Sequence, residues 1–394
     1  MTTRRLIRAL EPRTARSFAD MVAYIVWPLA VMVGLQRIWW SLVDPTPGRF
    51  LALYDASFRF LNPHTTAAAS DAVLSPGAII LTAPWAVLVP DQARWVELAL
   101  SVLALLGAWA LLLRLLQVPI RSVLAPVFLL VGFYCGPVTD TLLTGDLGAF
   151  VLLALVAWLY LAVHGHQLAA GVGLGIVVAS MPVFAPLLAL PLVQRRWRET
   201  VLAAAIAGSA TALVWIRLDG GDGVGISALG GVDAADRSFF AWAEYLHFPT
   251  GLTVGVAVVI AVVAIAAVAL VCIRQRHNEV LFLLTASGVL VLACCLLAPD
   301  SHGDYSIALL PLAGSVVLVG SSVRVWPAWL AIYGFGSDEN WYSPHLGGLG
   351  AHIEILRVPA GWLLLLATIC AVLTAAGPRA HAGVEEKRVR AAAT

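Results

Sequence analysis

Long apolar runs separated by short polar connections dominate this chain from near residue 20 to near residue 377. Several runs reach the roughly 17 to 25 residues that a helix needs to cross the hydrocarbon core of a membrane. With the shorter run at 76–89 and half-spans included, they predict about eleven to thirteen spans. The principal apolar runs are 21–39, 96–116, 123–137, 147–163, 168–193, 201–215, 252–273, 280–297, 307–320, 326–335 and 359–376.

Composition supports a protein that lies in the membrane. The 394 residues are 60% hydrophobic and 12% charged, whereas soluble domains carry about 25% charged residues. The five cysteines lie in or beside apolar runs without ligand-like spacing, which argues against a disulfide framework and a zinc site. The fold class is therefore predicted to be an all-α polytopic membrane protein.

Basic residues cluster at both ends of the chain, which predicts its orientation. Short loops rich in Lys and Arg stay on the cytoplasmic side, so both termini are expected there. Acidic residues gather in connections with few basic residues, and polar chemistry is accordingly expected on the external face of a plasma membrane. The basic clusters are Arg4, Arg5, Arg8, Arg13 and Arg16, then Arg195, Arg196 and Arg198, then Arg379, Lys387, Arg388 and Arg390.

The chain divides into a basic segment at 1–19, a transmembrane domain at 20–377 and a polar tail at 378–394. Three external loops are expected within the domain, at 41–75, 218–250 and 336–358. In the first, the stretch "RFLALYDASFRFL" predicts a helix lying in the headgroup zone, with a possible ion pair of Asp55 with Arg59 on its polar side. The apolar residues at helical spacing are Phe50, Leu51, Tyr54, Phe58 and Leu61. A short helix that packs on the bundle explains the same pattern equally well.

Candidate catalytic and binding residues are polar groups in the external turns. Asp44 follows the first span directly, Asp146 lies between two apolar runs, and "PDSHGDYS" contains His302, Asp304 and Tyr305. Acids near hydrocarbon are costly unless they are solvated or functional, so their convergence on one side suggests a polar cavity. The alternative is that these turns are polar simply because turns are polar.

Several stretches resemble a known family. "PVFAPLLALPLVQRRWR" at 182–198, "SSVRVWPAWLAIYGF" at 321–335 and "NEVLFLLTASGVLVL" at 278–292 are similar to stretches of the actinobacterial α-(1→3)-arabinofuranosyltransferases. These belong to the GT-C superfamily of polyprenyl-phosphate-sugar-dependent glycosyltransferases. The resemblance runs in a consistent order over most of the chain and implies a GT-C-type bundle with an external juxtamembrane helix.

The resemblance also implies residue roles. Asp44 occupies the place of the family's general base, in the first external loop. The donor carries its sugar on a lipid phosphate that leaves readily, so the site needs mainly a base and a nearby cation. Arg49, Arg59 or Arg237 could face that phosphate, and the sequence does not choose between them.

The implied reaction is inverting transfer of arabinofuranose from decaprenyl-phosphoryl arabinose to a cell-wall arabinan or lipoglycan acceptor. A mannosyltransferase that uses polyprenyl-phosphate mannose is an alternative. A second alternative is a catalytically silent homologue that acts as a scaffold or lipid carrier. It is favoured where Ser75-Pro76-Gly77 replaces the family's Tyr-Pro-Pro and Met181 replaces a lysine. No cofactor is expected, the residues do not support a divalent metal, and no nucleic-acid partner is expected.

Overall fold

The computed structural model describes residues 22, 25–43, 46, 48–63, 74–218, 238–299, 301–338, 345 and 348–375, and it is helical without a strand in these ranges. The α-helices are α1 (Ile25–Val43), α2 (Gly48–Leu61), α3 (Pro76–Thr82), α4 (Pro90–Leu115), α5 (Leu124–Tyr134), α6 (Gly136–Thr144), α7 (Gly148–Val163), α8 (Gln167–Ser180), α9 (Ala189–Val193), α10 (Trp197–Arg217), α11 (Phe239–Tyr245), α12 (Thr250–Arg274), α13 (Glu279–Leu297), α14 (Leu310–Gly314), α15 (Trp326–Gly336) and α16 (Gly348–Ala375). Short 3-10 segments occupy Ala83–Trp85, Pro182–Leu188, Gly303–Leu309, Ser315–Val317 and Ser322–Arg324.

Six of the described helices are long and apolar enough to cross a membrane, namely α1, α4, α10, α12, α13 and α16. A seventh span results if α5 and α6, which are bent by 57° at their junction, count as one. The prediction of an all-α polytopic membrane protein is therefore confirmed.

Full-length spans are fewer than the apolar runs because several runs are broken. The run at 168–193 divides at Met181, where α8 ends and a 3-10 segment begins with Pro182. Proline has no backbone N–H to donate and clashes with the preceding turn, so it often kinks or ends a helix. The apolar segment at 303–317 and α15, with 11 residues, are likewise too short for a full crossing.

The core lies around α13, of which 78% of the most apolar 18-residue stretch is buried. It packs against α7, α12 and α16, and Trp158, Phe184 and Trp362 are fully buried in the same cluster. By contrast, only 17% of the corresponding stretch of α10 and 22% of that of α12 are buried. These two helices therefore present most of their apolar surface outward.

Glycines on α8 allow two neighbouring helices to approach closely. A Cβ at Gly173 would lie 3.2 Å from the Ala154 carbonyl oxygen of α7, and a Cβ at Gly171 would lie 2.8 Å from the Glu199 carbonyl oxygen of α10. Small residues at such crossings bring backbones together where the surrounding lipid gives no hydrophobic drive for helix association. α7 and α10 therefore both pack closely against α8.

The run at 76–89 forms a short helix, α3, that does not cross the membrane. The Ser75 hydroxyl accepts a 3.3 Å hydrogen bond from the Ala78 N–H and donates to the Ser180 carbonyl oxygen. Gly77 lies directly against the backbone of Ala179 and Ser180, with no room for a side chain. Ser75-Pro76-Gly77 thus docks α3 on the end of α8, next to the break at Met181.

The helix expected in the first loop is present as α2, but its buried face differs from the expected one. Phe50 and Tyr54 are buried as expected, whereas Leu51, Phe58 and Leu61 of the apolar pattern are exposed. The difference arises because α3 and the 83–88 turn also cover α2: Ser57 donates to the Ile79 carbonyl oxygen at 3.0 Å, and Tyr54 donates to that of Leu88 at 2.6 Å. An ion pair of Asp55 with Arg59 on this helix is not formed.

The last helix begins earlier than the apolar run suggested. α16 starts at Gly348 and continues through Pro359, so its first turns occupy part of the expected loop at 336–358. The charged residues Glu354 and Arg357 interrupt the apolar pattern there without interrupting the helix. Their side chains face a cavity, which explains why the hydropathy of the segment misplaces the start of α16.

Gly77→Ala is expected to lower stability by about 1 to 3 kcal/mol, because the added methyl group would overlap the rigid backbone of α8. Thermal unfolding of the purified protein in detergent measures the effect. Gly208→Ala is the matched control, since nothing lies within 4 Å of a Cβ there, and replacing a helical glycine stabilises by up to about 1 kcal/mol. Equal melting temperatures for the two variants would contradict the docking of α3 on α8.

Candidate active site

A charged cavity of about 370 Å³ lies between α2, α6, the turn after α13 and the start of α16. Two arginines face four carboxylates in its wall, so an excess of two negative charges remains when all are ionised. His302 is the remaining titratable side chain of the wall. The charged residues are Arg49, Arg357, Asp140, Asp304, Asp338 and Glu354.

Arg49 of α2 holds two carboxylates from distant parts of the chain. Its Nη1 atom forms an ion pair with Asp304, and the same atom lies 3.4 Å from Oδ2 of Asp146. The Asp304 side chain is only 5% exposed, and its Oδ1 atom is buried without a hydrogen-bond partner among the described residues. A proton on Asp146 or a hydroxyl group of a bound molecule could satisfy that oxygen.

Burial raises the pKa of the Asp146 carboxyl to about 7; the neighbouring Asp304 adds to the rise, while Arg49 and the Leu147 N–H oppose it. Burial would by itself lower the pKa of the Arg49 guanidinium, but Asp304 and Asp146 raise it above its ordinary value. Arg49 therefore stays charged, and the Asp146 carboxyl can hold a proton near neutral pH.

The turn between α6 and α7 positions Asp146. Gly145 ends α6 with φ 69°, a left-handed conformation that glycine adopts without steric cost. Oδ1 of Asp146 then accepts a 2.7 Å hydrogen bond from the Leu147 N–H at the beginning of α7. The local sequence Gly145-Asp146-Leu147 thus turns the chain and directs the second carboxylate oxygen toward Arg49.

Arg94 of α4 stabilises the turn between α6 and α7. Its Nη2 atom donates to the carbonyl oxygens of Leu142 and Leu143 at the end of α6, and its Nη1 atom pairs with the buried Glu97. The guanidinium also lies 5.6 Å from the ring of Phe50, the residue after Arg49. Arg94 is thereby a positioning residue for both members of the Arg49 to Asp146 contact.

The opposite wall is held by Arg357 of α16. Its Nη1 atom donates to the Ser337 carbonyl oxygen at 2.8 Å, and its Nη2 atom lies 2.9 Å from Oε1 of Glu354. Asp338, which follows Ser337 in the chain, also lines the cavity and forms an ion pair with Arg37 of α1. The end of α15 is therefore tied to two different helices.

The structure brings together most of the candidates drawn from the sequence. Arg49, His302 and Asp304 line the cavity, and Asp146 contacts Arg49. The ring centroid of Tyr305 lies 5.8 Å from that of His302.

Of the other three candidates, one lies apart from this group and two lie outside the described residues. Arg59 lies ten residues beyond Arg49, about 15 Å along α2. It does not line the charged cavity. Asp44 lies outside the described residues, between the end of α1 at Val43 and the start of α2 at Gly48. Arg237 also lies outside them.

Sequence reasoning missed four charged residues: Arg37, Asp338, Glu354 and Arg357. For Arg37 a signal existed, because a charge inside an apolar run marks an intramembrane functional residue. For the other three, the assignment to a solvated loop concealed their position at the cavity. Among the described residues, no group of three or more His, Cys, Asp or Glu side chains has the arrangement of a metal site.

Fold and cavity together define a multi-pass membrane protein with a charged site at one end of its helix bundle. Comparison with known proteins is consistent with this class: the chain belongs to glycosyltransferase family 87, whose model matches residues 74–299. It is therefore a membrane glycosyltransferase, as the resemblance of its apolar stretches implied.

Relatives with assigned names cover nearly the whole chain. The alpha-(1->3)-arabinofuranosyltransferase of Mycolicibacterium smegmatis is 30% identical over 397 residues, which cover 94% of this chain and 90% of the relative. The Mycobacterium tuberculosis enzyme of that name is 31% identical, with 93% and 89% covered. The Corynebacterium glutamicum enzyme of that name is 28% identical, with 91% and 89% covered.

Asp146→Asn is expected to stabilise the protein at pH 8 and to stabilise it much less at pH 5. The folded protein raises the pKa of Asp146 from 3.8 to about 7, so the stability that its neutral form contributes is complete below about pH 4 and is lost as the pH rises toward 7. Melting temperatures at both pH values test this, with the exposed Asp55→Asn as control. The same shift at pH 5 and pH 8 would contradict it.

Arg94→Met is expected to cost about 3 to 5 kcal/mol, because it leaves the buried Glu97 without its counter-ion. Arg94→Met combined with Glu97→Leu should recover part of that loss, since no buried charge then remains. Unfolding of the two single variants and the double variant gives the coupling. Strictly additive losses would show that the two side chains do not stabilise each other.

Proposed function

We propose that this chain transfers arabinofuranose from decaprenyl-phosphoryl arabinose to a cell-wall arabinan or lipoglycan acceptor on the external face of the membrane. The observation that carries the proposal is the charged cavity at the end of the bundle, formed by residues of α2, α6 and α16. The names of the relatives support arabinofuranose as the sugar. The basic cluster at 195–198 supports the external placement, because Arg196 pairs with Glu279 at the start of α13 whereas the cavity lies beyond the end of that helix.

The proposed reaction is a single displacement with inversion. The acceptor hydroxyl oxygen attacks the anomeric carbon while the bond from that carbon to the phosphate oxygen breaks. Asp44 takes the hydroxyl proton, and decaprenyl phosphate leaves with the bonding electrons. One carboxylate suffices, because the phosphate needs no proton to leave.

The cavity suits a hydroxyl-rich acceptor. Its carboxylates outnumber its arginines, and ionised carboxylates accept hydrogen bonds from sugar hydroxyls. Asp140 is exposed at this wall, and Oδ1 of Asp304 is buried with an open acceptor position. Asp44 precedes the cavity residue Arg49 by five positions, within about 18 Å even for extended chain. This nearness along the chain supports Asp44 as the base.

A catalytically silent homologue is the second candidate, and two observations favour it. The charge of Arg49 is neutralised by Asp304 and Asp146, so it is not available to a phosphate while that contact lasts. Met181, at the place of a cation in the resembling family, is a buried member of the main core. A protein with these features could bind a lipid carrier without transferring its sugar.

Asp44→Asn and Asp44→Ala are expected to lower transfer by about 10² to 10⁴-fold, the contribution of a general base. Membranes containing each variant are assayed with radiolabelled decaprenyl-phosphoryl arabinose and an arabinan acceptor. Asp55→Asn is the control for the loss of a negative charge from the neighbouring helix α2. Asp140→Asn tests whether an exposed carboxylate of the cavity wall is the base instead.

The outcomes separate the candidates. Full transfer by both Asp44 variants removes Asp44 from the mechanism, and a loss confined to Asp140→Asn would assign the base to Asp140. Transfer only from polyprenyl-phosphate mannose would identify a mannosyltransferase. Binding of the lipid donor by the wild-type protein without transfer of either sugar identifies the silent homologue.

A further inference from the structure

Arg37 is a charged residue inside the candidate membrane span α1. It lies six residues before the end of that helix at Val43, about 9 Å along the axis. Its side chain is only 10% exposed. A cation held at this depth is costly and is therefore a functional-site hypothesis by default, once its partner is named.

A second cavity, of about 270 Å³, surrounds Arg37, and we call it the α1 cavity. It is lined by Val33, Gln36, Arg37, Trp40, Tyr134 and Asp338. Nη1 of Arg37 lies 2.6 Å from Oδ2 of Asp338. The guanidinium carbon lies 5.2 Å from the ring centroid of Trp40 and 5.7 Å from that of Tyr134. Arg37 thus has one anionic partner and two aromatic neighbours.

The α1 cavity opens among apolar side chains. Trp40 is 46% exposed and Tyr134 is 54% exposed. Met32 and Leu35 of α1 and Val131 of α5 are exposed as well. Exposed aliphatic side chains on a candidate span, with tryptophan and tyrosine near its end, are typical of a lipid-facing surface at the membrane boundary. A ligand of this cavity therefore has an apolar tail and an anionic head.

Asp338 joins the α1 cavity to the charged cavity, because it lines both. On one side it pairs with Arg37, and on the other it is close to Arg357 and Glu354 in the wall of the candidate active site. A head group bound at Arg37 is consequently separated from the candidate active site by one side chain.

We infer that the α1 cavity binds the phosphate of the polyprenyl-phosphate carrier, with the phosphate oxygens taking the place of Asp338 on Arg37. Guanidinium groups can bind both phosphate and carboxylate in a bidentate geometry. Arg37 therefore keeps an anionic partner when phosphate replaces the Asp338 carboxylate. The prenyl chain then lies along the exposed faces of α1 and α5, and the sugar extends past Asp338 toward the charged cavity. The inference rests on the proposed function for the chemical class of the donor.

A simple structural role would also explain the contact, since an ion pair of Arg37 with Asp338 fastens α1 to the end of α15. The two explanations predict different effects of removing the Asp338 carboxylate. If the pair only fastens α1, then removing either charge does similar damage. If phosphate replaces Asp338, then removing the carboxylate removes a competitor and favours binding.

Binding of decaprenyl phosphate tests the inference without any transfer step. The purified full chain is placed in phosphatidylcholine nanodiscs, and bound radiolabelled decaprenyl phosphate is measured against lipid concentration. Arg37→Gln is expected to weaken binding roughly tenfold or more, the usual effect of removing a buried charged partner. Asp338→Asn is expected to bind more tightly than the wild-type protein, because it removes the competing carboxylate. Arg217→Gln, at an exposed arginine at the end of α10, is the matched control and should bind as wild type.

Unchanged binding by a folded Arg37→Gln variant overturns the inference, and so does unchanged or weakened binding by Asp338→Asn. If Arg37→Gln does not fold, the Asp338→Asn result decides. Competition at equal concentration by phosphatidylglycerol would overturn selectivity for the carrier and indicate a general anionic-lipid site. Competition by inorganic phosphate alone would indicate a free-phosphate site. Because the readout is binding, failure of the proposed transfer reaction leaves this result interpretable.

Discussion

The contact of Arg49 with Asp304 and Asp146 is the interaction on which the site depends. It joins α2, the turn between α6 and α7 and the turn after α13, segments that are 97 and 255 residues apart in the sequence. Charges at the edge of a low-dielectric bundle are expensive to leave unpaired, so the three segments are stable together and costly to separate. This arrangement sets the position of the cavity wall that these segments form.

The same constraint recurs around the cavity and explains its shape. Arg94 pairs with Glu97 within α4, and Arg357 pairs with Glu354 within α16. Each of these arginines also donates to backbone carbonyl oxygens of another segment, and the pair of Arg37 with Asp338 joins α1 to the end of α15. Aliphatic packing fills the interior around α13, whereas these polar contacts define the end of the bundle. In the proposed reaction this division separates a lipid-facing phosphate site from a carboxylate-rich acceptor site.

The sequence predicted part of this site because part of it has a local signal. Asp146 and the segment with His302, Asp304 and Tyr305 stand out as polar groups in turns between apolar runs. Arg357 and Glu354 did not stand out, because the hydropathy of their segment is that of a loop although the chain there is helical. The predicted buried face of α2 was only partly correct for a related reason. The hydrophobic pattern places the polar Ser57 at the surface, whereas in the structure α3 covers it.

Sequence by itself determined the membrane class of this protein, the breaks at its prolines and its similarity to a glycosyltransferase family. These properties are sums or patterns over neighbouring residues, and the cost of placing each residue in hydrocarbon depends little on distant parts of the chain. Only the tertiary structure decided that Arg49 meets Asp304, that Asp338 stands between two cavities and that α3 docks on α8. The reason is physical: pairing energy depends on the distance between two groups, and that distance is set by the packing of helices far apart in the sequence.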